Sequence, residues 1–212
     1  MLNPMPTLEQ NAFIRELLRP LPGGVVVELG ANVGEEENWI RASFSGPVYY
    51  VLVEPDRHNF LCIRNRVHLG AYALYAGAVS DRDGFALFNL SIPTVSGSLR
   101  IPTGHLKQYP ETSFPHVAKV KTWTLDRIFE SEELRKIDLL WSDIQGAENL
   151  MIAGGHKALQ HTRYLVMEAG TVELYEGESL RPELISMLPG WKMLREFEDN
   201  VVMQNLNFSE VA

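Results

Sequence analysis

Cysteine is almost absent from this chain. Cys62 stands alone among 212 residues, so no internal disulfide framework holds the fold. Stability must come from an apolar core, and 45% hydrophobic content over this length is enough to build one large domain. Long apolar runs are also missing. None approaches the roughly 20 residues that a bilayer span requires, and the opening MLNPMPTLEQ lacks the basic stretch and apolar run of a secretory signal. Basic charge is in short supply, with 19 Lys and Arg against 27 Asp and Glu and a net charge of −8. That balance argues against broad binding to nucleic acid or to an anionic membrane. Gly-Lys-Ser/Thr does not occur, which removes a P-loop. The histidines form no ligand-spaced pattern, and no internal repeat or low-complexity tract is found. The expectation is one domain over residues 1–212 working in a reducing compartment, the cytoplasm.

What is present is an alternation of apolar strands and amphipathic helices. Thr7 is placed to cap a first helix within residues 1–23, with Gln10 as its capping-box partner, and Pro20-Leu21-Pro22-Gly23-Gly24 stops that helix. Residues 25–29, 48–53 and 72–79 read as buried strands, with helices over 35–44 and 57–69 between them. Residues 85–90 read as an edge strand after the Asp83-Gly84 turn, and 91–116 as an irregular segment of the kind that forms lids and binding loops. Strands at 117–122, 137–142 and 164–167 then alternate with helices at 125–135, 148–159 and 180–188. Residues 192–197 and 201–206 form a closing antiparallel hairpin, which offers an edge for pairing with another chain. Strand–helix–strand repetition with apolar runs means an α/β protein with a parallel sheet and right-handed crossovers.

Strand ends carry the chemistry. In an open α/β sheet the ligand sits outside the carboxyl ends of the strands, and in this chain four such ends are acidic: Glu28, Glu54, Asp143 and Glu168. After Val25-Val26-Val27-Glu28-Leu29 comes Gly30-Ala31-Asn32-Val33-Gly34, whose glycines let backbone approach a ligand closely. A dinucleotide fold would show G-x-G-x-x-G, but Asn32 occupies the middle glycine position and Glu28 would repel a pyrophosphate. An anion there attracts a cation instead. A biological ligand with a sulfonium and an ammonium, and no phosphate, is S-adenosylmethionine. Glu54, closing the second strand beside Pro55, is placed to accept from both ribose hydroxyls. The small residues Ala78 and Val79 offer a flat place for adenine.

Taken in order, Glu28-Leu29-Gly30-Ala31-Asn32-Val33-Gly34, Glu54-Pro55, Ala78-Val79-Ser80-Asp81 with Asp83-Gly84, Thr124-Leu125-Asp126, Ile137-Asp138-Leu139-Leu140, Ser142-Asp143-Ile144-Gln145-Gly146-Ala147-Glu148 and Glu168 resemble the FkbM-type methyltransferases, a branch of the class I S-adenosylmethionine-dependent fold. The likeness covers roughly residues 24–170. It implies a Rossmann-like, mostly parallel seven-stranded sheet with helices on both faces and a C-terminal antiparallel hairpin. It also implies O-methylation of a hydroxyl on a sugar, polyketide or similar metabolite, with Glu28 to Gly34 and Glu54 holding the cofactor. Two positions depart from the pattern. Trp141 stands where the family carries a lysine ahead of the loop aspartate, and Glu28 stands where the family carries Asp.

A hydroxyl is a poor nucleophile at neutral pH and needs a base or a metal. Asp143 is the first candidate base, with Glu168 and Glu148 next, and His116 as a histidine beside the irregular segment. Asp143, Glu148 and Glu168 together offer oxygen ligands for Mg²⁺, which is the second and less favoured reading. The expected acceptor is a small molecule or glycan, bound by the loops at 91–115 and 170–182. Two other functions compete: N-methylation, and a non-catalytic cofactor-binding module, which Trp141 keeps open. N-methyltransferases often place Asn/Asp-Pro-Pro-aromatic after the fourth strand, where this chain has Asp143-Ile144-Gln145-Gly146.

Overall fold

The computed structural model describes residues 8–66, 68 and 70–211. The cap assigned to Thr7 lies outside them. In chain order the elements are α1 (Leu8–Leu18), β1 (Gly24–Leu29), α2 (Glu37–Arg41), β2 (Val48–Glu54), α3 (Arg57–Asn65), β3 (Tyr72–Ala76), β4 (Ala78–Val79), β5 (Gly84–Ile92), α4 (His105–Gln108), β6 (Ser113–Trp123), α5 (Leu125–Ser131), β7 (Ile137–Ser142), α6 (Glu148–Ala153), α7 (His156–Gln160), β8 (Thr162–Glu168), α8 (Arg181–Ser186), β9 (Trp191–Glu196) and β10 (Asn200–Asn205).

A seven-stranded sheet has the order β3-β2-β1-β7-β8-β10-β9. Neighbours run parallel except where β10 pairs antiparallel with β8 and β9. The α/β architecture with its closing hairpin is therefore as expected. β1 and β7 sit at the centre because their side chains, Val26, Val27, Leu29, Leu139 and Leu140, are apolar on both faces. One face packs on α1, α2 and α3 through Ile14, Leu18, Ile40 and Ile63. The other packs on α5 to α8 through Ile128, Met151, Leu159 and Leu184.

Register brings the acids to one rim. Leu29 pairs with Val53 on one side and Ser142 on the other, and Ser142 pairs with Met167. The residues one step further along are Glu54, Gly30, Asp143 and Glu168, at one level across four strands. Glu28 lies two rows below, beside Leu52 and Trp141.

Several boundaries differ from the sequence reading. The strand expected over 72–79 divides at Gly77, whose N–H donates to the Glu54 carbonyl. β3 then borders the large sheet, while β4 joins β6 and β5 in a second, three-stranded sheet. A Cβ at Gly77 would lie 2.5 Å from the Lys121 carbonyl oxygen, so glycine is what lets β3 hand over to β6. The irregular segment at 91–116 is shorter than expected, because β5 runs to Ile92 and β6 starts at Ser113, with α4 between them. The helix expected over 148–159 is two helices. Gly154 lies against the Ser80 carbonyl, 2.3 Å from where a Cβ would be, and the Asp126 carboxylate accepts from the N–H groups of Lys157 and Ala158 to start α7 afresh. The helix expected over 57–69 ends at Asn65. Arg66 is extended, and its guanidinium donates to the carbonyls of Val33 (2.9 Å) and Gly34. Among the described residues no helix is long and apolar enough to cross a membrane.

Candidate active site

Two cavities open on the strand-end rim, one on each side of the 143–148 loop. The first is lined by Glu28, Gly30, Asn32, Glu54, Pro55 and Asp143, and also by Gly77, Ala78, Val79 and Trp141. Its walls are the turn after β1, the end of β2, the short β4 and the turn after β7. Residues 91–99, the first part of the expected lid, contribute Ser91, Val95, Gly97 and Leu99.

The glycine turn is shaped by its backbone. Gly30 (φ +77) donates to the Val53 carbonyl, and a Cβ there would fall 1.8 Å from the Asp143 carbonyl oxygen. The turns after β1 and β7 thus touch through backbone alone. Asn32 has φ +47, and its Oδ1 is buried without a hydrogen-bond partner. Ala31 and Gly34, also expected at the ligand, stand behind the wall. Ala31 is fully buried in the core, and Gly34 closes the turn by donating to the Ala31 carbonyl (2.6 Å).

Burial dominates the electrostatics of this cavity. Glu28 is 1% exposed and accepts from the Tyr50 hydroxyl at 2.6 Å. Desolvation, with Glu36 nearby, pushes its carboxyl well above the usual range. Glu54 accepts from the backbone N–H groups of Asn32 and Asp56, both at 2.8 Å. Burial still raises it to about 8, and burial together with Asp143 raises Glu36 to about 7. Glu36 was not anticipated from the sequence. It lies in the Glu35-Glu36-Glu37 run that the expected helix would have carried to the surface, yet α2 begins only at Glu37 and leaves Glu36 lining the cavity.

The second cleft is lined by Gln108 and Tyr109 from the α4 region, Glu148, Glu168, Tyr175 and Asp199. Between the two cavities, the Gln145 amide nitrogen donates to Asp143 at 2.6 Å and to Glu168 at 2.8 Å. Burial raises both carboxyls, and Asp143 raises Glu168 further. Two carboxyls held by one amide nitrogen disfavour joint ionisation, because their like charges repel.

Glu148 lines the second cleft and also holds the loop. Its Oε1 accepts from the Ile144 N–H at 3.0 Å, bracing the loop, and burial raises its carboxyl to about 8. Among the described residues no group of three or more His, Cys, Asp or Glu side chains is arranged to hold a metal ion. The amide of Gln145 sits between the carboxylates that a Mg²⁺ site would need. His116 is not brought to the rim. It is exposed on β6 opposite Leu90, because the β5–β6 ladder extends past the segment expected to be a loop. Trp141 belongs to the core and meets Trp39 edge-on at 5.9 Å, while also facing the first cavity.

The α/β fold is that of the class I methyltransferases. Two solved structures share the fold. One is the methyltransferase FkbM from Methylobacillus flagellatus KT, with TM-score 0.57 and 15% identity over 89% of this chain; the match spans 45% of that chain. The other is an O-methyltransferase from Bacillus cereus in complex with SAH, with TM-score 0.55 and 14% identity over 93% of this chain and 80% of that one. The methyltransferase FkbM domain matches residues 28–200, and the chain belongs to this family. A relative, the 2-O-methyltransferase NoeI of Sinorhizobium fredii (strain NBRC 101917 / NGR234), is 31% identical over 215 residues, which is 95% of this chain and 87% of that protein.

Proposed function

We propose that this protein is an S-adenosylmethionine-dependent O-methyltransferase that uses Asp143 to take the proton from a hydroxyl of a sugar, glycan or secondary metabolite. The observation that carries this reading is the Asp143–Glu168 carboxyl pair lying between two cavities. The relative named as a 2-O-methyltransferase supports oxygen as the methylated atom.

The first cavity fits the cofactor. Glu28, Glu36 and Asp143 line its floor, and a sulfonium and an ammonium there would favour their ionised forms against the burial that favours their protonated forms in the free protein. Glu54 would accept from the ribose hydroxyls, and Asn32 Oδ1, buried without a partner, has an unused acceptor. Ala78, Val79 and Phe88 offer an apolar slot for adenine. When bound, S-adenosylmethionine supplies an electrophilic methyl group: the acceptor oxygen bonds to the methyl carbon as the carbon–sulfur bond breaks, and that electron pair stays on sulfur. The task of the protein is to hold the acceptor oxygen in line and to receive its proton on the Asp143 carboxylate. The raised affinity of the pair for a proton suits a base that must be ionised near neutrality and protonated afterwards.

The second cleft is where the acceptor would lie. It presents carboxylates, the Tyr109 hydroxyl and the Gln108 amide, and among the described residues no Lys or Arg lines it. Such a surface accepts hydrogen bonds from hydroxyls and repels phosphate. Incubation with S-adenosylmethionine and a panel of polyols, glycosides and nucleotide-linked sugars is expected to give S-adenosylhomocysteine and a methyl ether with an uncharged acceptor. Nucleotide-linked sugars should be poor acceptors. A methylated amine as the product would replace this reading with N-methylation. Tight cofactor binding with no turnover across the panel would favour the non-catalytic module. The whole chain acts as one domain in this reading. A cytoplasmic location goes with it, since the partly exposed free thiol of Cys62 suits a reducing compartment.

Cofactor affinity should follow pH in a stated direction. Cation binding favours ionised carboxylates, and Glu36 ionises at about 7 in the free protein. Affinity for S-adenosylmethionine is therefore expected to fall as pH drops through about 7, with protons released on binding. S-adenosylhomocysteine lacks the sulfonium charge and should weaken less. Calorimetry in buffers of different ionisation enthalpy reads both effects, and equal pH slopes for the two ligands would sink the assignment of these acids to the sulfonium.

A further inference from the structure

We propose that Gln145 is a positioning residue for methyl transfer: its side-chain amide holds the Asp143 and Glu168 carboxyls together as a pair and ties that pair to the segment lining the cofactor cavity. The inference rests on Asp143 as the base and adds a residue that acts through it.

Gln145 is 4% exposed and adopts φ +55, a left-handed conformation that aims its side chain back across the turn. Both acidic partners accept from the same nitrogen, at 2.6 Å for Asp143 Oδ1 and 2.8 Å for Glu168 Oε2. A primary amide has two N–H groups, so each carboxylate takes one and no donor is left over. The amide cannot turn over without setting its oxygen against two carboxylates. Its orientation is held from the other side, where the Tyr175 hydroxyl lies 2.8 Å from Gln145 Oε1. The same hydroxyl lies 2.9 Å from the Ser96 carbonyl, and the Ser98 hydroxyl donates to the Gln145 carbonyl at 2.6 Å. Ser96 and Ser98 belong to the segment that lines the first cavity, so the position of that segment and the amide orientation support one another.

The surroundings explain why a neutral donor is needed. The titratable groups facing the pair are Glu36 just before α2, Tyr109 just after α4, Glu148 at the start of α6, Tyr175 and Glu178 after β8, and Asp199 between β9 and β10. Four of these are acids. Without the Gln145 N–H groups the ionised pair would lose its donors among neighbours that are mostly acidic, and it would hold its protons to higher pH. The base would then be protonated at the pH where it has to act.

The test is a pH titration of the full chain labelled with ¹³C at the Asp and Glu carboxyl carbons, with Asp143→Asn to assign the pair. Gln145→Met keeps the side-chain length and removes both donors. The pair is expected to titrate about one pH unit or more higher in this variant, and the acidic limb of kcat should move by the same amount. Raising the pH should then recover much of the lost rate. A role limited to holding the loop would lower kcat equally at every pH and leave the titration where it was, and that result would overturn the proposal. Should Gln145→Met fail to fold, Tyr175→Phe decides. It frees the amide to turn over and should shift the pair in the same direction; no shift in a folded Tyr175→Phe counts against the proposal. An unshifted pair in a protein that still needs Asp143 removes the role of Gln145 alone, whereas full activity in Asp143→Asn removes the base assignment beneath it.

Discussion

Asp143→Asn is expected to lower kcat by about 10²–10⁴-fold, the range for loss of a general base, while affinity for S-adenosylmethionine stays within a few-fold. Asparagine keeps the shape of the side chain and an oxygen that can accept from the Gln145 amide, so the loop and the first cavity should be preserved. What it loses is the ability to take a proton. Glu168 lies beside it and shares the same amide donor, yet it lines the second cleft and not the first. Single-turnover measurement of S-adenosylhomocysteine, together with calorimetric cofactor affinity, separates the two effects. Wild-type turnover in the variant would transfer the role of base to Glu168 or to the acceptor itself.

Gly30→Ala is expected to be the most damaging small substitution in the chain. The new methyl group would lie 1.8 Å from the Asp143 carbonyl oxygen, a backbone atom that cannot swing aside, at φ +77. Left-handed strain and forced separation of the two loops together should cost about 3 kcal/mol or more. For a chain of this size that lowers Tm by roughly 6–12 °C. Cofactor binding should be lost as well, because the same loops form the cavity floor. Gly170→Ala is the control: its Cβ would meet only the Val172 carbonyl oxygen at an ordinary 3.5 Å, and its stability should change by no more than about 0.5 kcal/mol. Equal melting temperatures for the two variants would mean that the β1 and β7 turns do not meet as described.

Much of the site was legible before folding because strand chemistry is local. Period, β-branching and the glycine stops marked β1, β2 and β7, and an acid ending each strand needed no partner to be noticed. Glu28, Glu54 and Asp143 line one cavity as expected. His116 stands apart from the two cavities for a physical reason. Nothing in its neighbourhood signalled that β5 and β6 would pair through Leu90 and His116, and that pairing moves it onto an exposed ladder. Glu36 was hidden because the length of α2 depends on the Gly34 turn and on Arg66 reaching back to Val33 and Gly34 from the end of α3.

The sequence by itself determined the order of strands and helices, the acidic strand ends and the glycine turn, since each follows from residues next to one another in the chain. Only the tertiary structure decided which acids share a cavity, how Gln145 joins Asp143 to Glu168, and that Glu148 braces a loop. Those relations join residues from separate strands and loops, and they depend on lateral register and on burial, which exist only once the sheet has formed.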